Sequence, residues 1–125
     1  MSTDSQATPW PTELRLLKDR KSLRVVFDTG EAHDLSAEYL RVRSPSAEVQ
    51  GHSPAERKTV PGKRNVAIVD LIPVGNYAVR IDFDDLHSTG IFTWTYLLEL
   101  GRNHAAYWAD YLGELAAKGL SREKA

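Results

Sequence analysis

The chain of 125 residues contains no cysteine. Disulfides, zinc ribbons, thiolate nucleophiles and cysteine-ligated iron–sulfur clusters are therefore excluded. An excess of charge of one sign is also missing: 16 Lys and Arg stand against 17 Asp and Glu, for a net charge of −1. That balance argues against generic affinity for nucleic acid or a membrane surface. No apolar run approaches the ~18–20 residues of a bilayer span. The opening MSTDSQATPWP has neither the basic start nor the apolar core of a secretory signal. The expectation is a cytoplasmic protein whose partner is neither nucleic acid nor membrane.

What is present suffices for one core. A chain of this length buries somewhat under ~70% of its unfolded surface and needs no staple. Residues 1–11 are rich in Ser, Thr and Pro and read as a flexible arm, with Trp10 able to dock on the core. A single domain is expected over 12–118, followed by a frayed tail over 119–125.

Alternation predicts strands over 12–17 (TELRLL) and 22–28 (SLRVVFD), with Leu23, Val25 and Phe27 on one face. Thr29-Gly30 closes a hairpin and 31–35 returns, giving an antiparallel meander. Ser36 reads as the N-cap of a short helix carrying Ala37, Tyr39 and Leu40, which Pro45 ends. Residues 44–64, with three prolines and two glycines, read as a long surface loop. The β-branched stretch 65–75 predicts a central strand stopped by Pro73 and Gly75. The alternation in 77–85 turns Tyr77, Val79, Ile81 and Phe83 inward. After the turn LHSTG come two helices. The first covers about 93–100 and ends at Gly101; the second is capped by Asn103 and runs to about Lys118, with Trp108, Leu112 and Leu115 on one stripe. Strands first and helices last imply an α+β fold, an antiparallel sheet with C-terminal helices on one face.

Four stretches could carry chemistry. DFDDLHSTGIF (82–92) gathers three carboxylates and His87. Oxygen and imidazole ligands at that density suit iron, manganese or zinc, with His52, Asp84, Asp85 and His87 as the candidate set. The same residues also build ordinary turns, which is the commoner use. SPSAEVQGH (44–52) holds serine, glutamate and histidine, the ingredients of a nucleophile set. No nucleophile-elbow pattern accompanies them, and hydrogen bonding of Ser44 and Ser46 to loop backbone is the favoured role. In ERKTVPGKRN (56–65), Lys63 follows a glycine, but the phosphate-loop pattern is absent and no helix follows. Docking of an anion or an acidic partner stays open there, beside a plain solvated loop. The aromatic stretch 94–112 is foremost core, with a partner groove near Tyr96, Arg102, His104 and Tyr107 as the functional alternative. His33 and His104 read as ordinary packing or surface residues.

Taken together, LSAEYLRVRSPSAEVQGH (35–52), GKRNVAIVDLIPVGNYAVRIDFDDLHSTGIFTWTYLLELG (62–101) and the closing aromatic helix resemble the gamma-butyrobetaine hydroxylase-like N-terminal domain family, also called domain of unknown function 971. The resemblance spans about residues 12–115. In carnitine-synthesis hydroxylases such a domain precedes an iron- and 2-oxoglutarate-dependent oxygenase and holds a structural zinc through C-P-C-x-x-C and a distant histidine. Ser44, Ser46 and Val49 stand where those cysteines would be, and His87 matches the histidine. Hydroxyls are poor zinc ligands and valine is none, so the resemblance carries no zinc site over to this chain. The oxygenase is not carried over either, since no H-x-[DE] pair occurs and the length leaves no room for a jelly-roll domain. Similar domains fused to P-loop ATPases of the iron–sulfur scaffold type imply an accessory role in that chemistry. Leu86 departs from the family, whose members show glycine there; a left-handed turn would be strained for leucine.

These readings converge on a non-catalytic binding or adaptor domain whose partner is another protein, an iron–sulfur assembly factor or a metabolic enzyme. The expected surface comprises Arg41, Arg43, Ser46, Glu48, His52, Lys63 and Arg64, beside the 84–87 turn. No catalytic residue and no certain cofactor is assigned. The alternative is a protein binding iron or zinc through His52, Asp84, Asp85 and His87.

Overall fold

The computed structural model describes residues 9–124. The first eight residues of the expected arm thus lie outside the described residues. Six strands and four α-helices follow in chain order: β1 (Pro11–Leu16), β2 (Ser22–Phe27), β3 (Ala32–Ser36), α1 (Ala37–Val42), α2 (Ala47–Gln50), β4 (Ile68–Val74), β5 (Ala78–Phe83), β6 (Gly90–Thr93), α3 (Trp94–Arg102) and α4 (His104–Ala117). A 3-10 turn occupies Pro54–Glu56. The fold is α+β, and the strands divide into two three-stranded antiparallel sheets, β1-β2-β3 and β4-β5-β6.

The alternation in β2 buries Leu23, Val25 and Phe27, and that in β5 buries Val79, Ile81 and Phe83. These rows meet Ala37, Tyr39 and Leu40 of α1 and Trp94, Leu97 and Leu100 of α3 in one core. The sheets also touch through the β1–β2 turn, where Ile68 N donates to Arg20 O at 2.7 Å.

Several expectations need correction. The 65–75 stretch is an edge strand rather than a central one, and Pro73 lies within it. An edge tolerates the missing N–H, so the proline does not stop the strand. Tyr77 belongs to the β4–β5 turn and is 53% exposed, because the strand begins one residue later. The loop over 44–64 contains α2, whose N-cap Ser46 accepts from Glu48 N. Gly90–Thr93 is a short strand hidden before the helix, and Thr93 caps α3. Gly101 sits inside α3 instead of ending it: a Cβ there would stand 2.5 Å from the His33 ring, so the glycine makes room for histidine. Asn103 turns its side chain back to Glu99 O rather than capping α4. Leu112 faces solvent, while Tyr111 and Leu115 form the buried stripe.

The tail expected to fray is pinned. Gly62 N donates to Ser121 O at 2.9 Å, Arg64 N to Arg122 O at 3.1 Å and Leu120 N to Leu115 O at 2.8 Å. At the other end, Asp28 N donates to Trp10 O, and the Trp10 ring meets Trp94 edge-on.

Candidate functional site

The β5–β6 connection opens with a tight reversal built on three loop residues, 84–86. Leu86 N donates to Phe83 O, and Phe83 N donates to His87 O. A three-residue loop of this kind places its last residue in the left-handed region. That residue is Leu86, at φ 72°. The strain expected for leucine at this position is therefore present, and the side chain gains nothing by packing: it is 92% exposed.

The same reversal carries Asp85 and His87 inward. Asp85 Oδ1 accepts from His87 N at 3.2 Å, while Oδ2 receives Arg41 Nε at 2.8 Å and Lys63 Nζ at 2.6 Å. Burial pushes the Asp85 carboxyl up, but bonds from Lys63 and Arg41 outweigh it and hold the group at about 2. The His87 imidazole is buried under the α1–α2 junction, with Nε2 at 2.9 Å from Ser44 Oγ and Nδ1 at 3.4 Å from Glu48 Oε1. Burial and then the nearby Arg41 charge keep His87 below its ordinary value, against the opposing pull of Glu48 and Asp85. Ser46 N donates to Ser44 Oγ, and the Ser46 and Thr89 hydroxyls lie 2.7 Å apart. Ser44, Ser46, Val49 and His87 are all buried.

Serine, histidine and carboxylate thus stand in the order of a nucleophilic relay. Access is missing: Ser44 is fully buried, and a Cβ on Gly90 would stand 2.5 Å from its Oγ. No acyl substrate can approach a hydroxyl packed against backbone on one side and histidine on the other. The junction is a structural joint, tying the end of α1 to the β5–β6 reversal.

The expected surface residues separate into three groups. Arg41 and Arg43 turn inward: Arg41 pairs with Asp85, and the Arg43 guanidinium lies 4.1 Å from the Tyr107 ring centroid. Arg41 Nη1 and Arg43 Nε are buried without a hydrogen-bond partner. Ser46 is a buried cap, Glu48 reaches Thr89, and exposed His52 takes Glu56 Oε1 on its backbone N. Lys63 and Arg64 line a cleft of about 220 Å³, together with Gly62, Asn65, Val66, Asp84, Asp85, Arg122 and Lys124. Among the described residues no three His, Asp or Glu side chains are grouped so as to hold a metal, so His52, Asp84, Asp85 and His87 do not form a chelating set. Asp84 instead accepts from Ala67 N, and Asp85 is spent on two cations. No helix among the described residues is long and apolar enough to cross a membrane.

One feature escaped the sequence. Glu38 in α1 is 5% exposed and receives both Nε (2.8 Å) and Nη2 (2.7 Å) of Arg122 from the tail. A glutamate in a helix's first turn reads as a dipole partner, and nothing local announces a cation so distant in the chain.

Residues 14–98 match the family described as gamma-butyrobetaine hydroxylase-like, N-terminal. The chain belongs to that family. Two solution NMR structures are similar to it, each 44% identical: one with a TM-score of 0.83, covering 95% of this chain and 94% of the other, the second with 0.81, covering 99% and 92%. A crystal structure of a protein of unknown function from Acidithiobacillus ferrooxidans, belonging to the DUF971 family, is 40% identical with a TM-score of 0.60, over 73% of this chain and 91% of the other. No curated protein matches. Leu86, the Ser44–His87 joint and the cleft's Lys63, Asp84 and Asp85 all fall within the matched span of this family member, whereas Arg122 and Lys124 lie beyond it.

Proposed function

We propose that this domain is a non-catalytic binding module that docks a partner protein through the β5–β6 turn. The observation that carries this reading is Leu86. A leucine in the left-handed region is strained by about 1–2 kcal/mol, and at 92% exposure no buried contact offsets it. Strain retained at a solvent-exposed apolar tip is the kind of local cost that a binding role accounts for. Around the tip, exposed Asp84 and Glu48 and the cleft cations Lys63 and Arg64 supply a polar rim to an apolar anchor.

The fusions implied by the family resemblance make an iron–sulfur assembly factor the first partner to try, with a metabolic enzyme as the alternative. The test is affinity capture with the wild-type chain and with Leu86→Gly as paired baits, read by quantitative mass spectrometry. A partner enriched by the wild type and at least tenfold depleted with the folded variant supports the proposal. Equal capture by both baits, or no protein above background with either, sinks it.

A further inference from the structure

We infer that the cleft between residues 62–66, the 84–85 turn and the C-terminal segment binds a small anionic group, a phosphate or a carboxylate. The inference is independent of the docking role of Leu86. At about 220 Å³ the cleft has room for several waters at ~30 Å³ each, hence for a phosphate or a short dicarboxylate. Its walls bring together cations from two distant segments, Lys63 and Arg64 from one, Arg122 and Lys124 from the other. This convergence is built into the backbone, since Gly62 N and Arg64 N bond the carbonyls of Ser121 and Arg122.

Four cations outnumber the two carboxylates in the lining, and Asp85 is already paired. One oxygen of Asp85 carries both Lys63 and Arg41, and Asp84 Oδ1 takes Ala67 N. Glu123 and Glu38, which pair with Arg64 and Arg122, are not part of the lining. The cations, by contrast, have donors beyond those they use: an ammonium offers three N–H groups and a guanidinium five. Arg122 spends Nε and Nη2 on Glu38, and Lys63 has one carboxylate partner. Behind Asp85, Arg41 shares that carboxylate with Lys63, and its buried Nη1 has no hydrogen-bond partner. A compact oxyanion, accepting several charge-assisted bonds at once, matches that donor set; a metal cation would meet Lys63, Arg64, Arg122 and Lys124.

Amide correlation spectra of the 15N-labelled full chain, titrated separately with sodium phosphate and sodium succinate at constant ionic strength, test this. Saturable shifts confined to the amides of 62–66 and 121–124 are expected with at least one anion. Phosphate alone assigns a phosphoryl group, succinate alone a carboxylate, and both together a general oxyanion site. Lys63→Gln/Lys124→Gln should weaken binding at least tenfold while leaving the remaining spectrum in place. Should that variant fail to fold, Lys124→Gln, which leaves the Asp85 pairs intact, gives the same readout with a smaller loss. Non-saturating shifts, shifts scattered over the surface, or unchanged titration of a folded variant would overturn the assignment.

Discussion

Leu86 and Asp85 are neighbours with opposite energetic signs. Replacing Leu86 with glycine removes about 1–2 kcal/mol of left-handed strain. It also adds about 0.4–1 kcal/mol of unfolded-chain freedom, and there is no packing to lose at 92% exposure. Leu86→Gly is therefore expected to raise stability by about 0.5–1 kcal/mol, seen as a higher urea midpoint at unchanged slope; a lower midpoint would show that the leucine supports the turn. Asp85 works the other way. Its folded value of about 2 lies below the ~3.9 of an unfolded aspartate, so its contribution is present above pH ~4 and is lost as pH falls toward 2. Asp85→Asn should lower stability at pH 7 by about 1–2 kcal/mol, since Arg41 and Lys63 lose their shared partner. Half-buried Glu31 is also held at about 2, by Arg102 first, so wild type also keeps an acid limb of other origin. The informative quantity is the difference between the two stability curves, which should close between pH 4 and 2; a constant gap would remove Asp85 from the acid response.

Among the elements, the shortest ones set the site. The four-residue α2 and the three-residue loop before His87 fix a joint in which each hydroxyl and imidazole has one consistent role. Ser44 Oγ accepts from Ser46 N, and it donates to His87 Nε2 because the Glu48 carboxylate, an acceptor only, faces the other ring nitrogen. His87 then carries its proton on Nδ1, facing Glu48. Long-range 15N–1H spectra at neutral pH should show the Nδ1–H tautomer and a titration midpoint below 6.5. Because the folded value is lowered, this contribution to stability is full above 6.5 and declines as pH falls toward the folded value. An Nε2–H tautomer, or a midpoint above 6.5, would refute the hydrogen-bond scheme. The sequence made part of this legible. Period-two runs in β2 and β5 and the Ser36 cap could be read directly, and the family resemblance placed Ser44, Ser46, Val49 and His87 together although 43 residues separate Ser44 from His87. β6 was hidden because four residues ending in a helix cap leave no alternation to count. Gly101 misled because its reason is a histidine on a distant strand, β3, which local pattern does not record. The pairing of Arg41 and Lys63 with Asp85 was likewise invisible, and Arg41, read as part of a surface, braces the inside of the turn.

For the whole molecule, the decisive contact joins its most distant parts. Arg122, within the stretch expected to fray, clamps the buried Glu38 carboxylate 84 residues earlier and lies 5.2 Å from the Trp108 ring centroid. Burying a carboxylate is costly unless it is paired, so the tail stabilises the α1 surface as well as walling the cleft. Removing one member should therefore cost more than removing both. Arg122→Met leaves Glu38 without its partner and is expected to destabilise by about 2 kcal/mol, less than a fully buried pair would because the arginine side chain is one-third exposed. Glu38→Gln restores a neutral side chain of the same shape, so the double variant should recover at least ~1 kcal/mol relative to the sum of the singles. Denaturation of all four proteins at one pH closes this cycle. Additive losses, or an Arg122→Met effect below ~0.5 kcal/mol, would mean that the clamp is incidental and that the cleft has a movable wall. Strong coupling instead makes the C-terminal segment part of the folded body, and the cleft cations it carries are then held in place before any anion arrives.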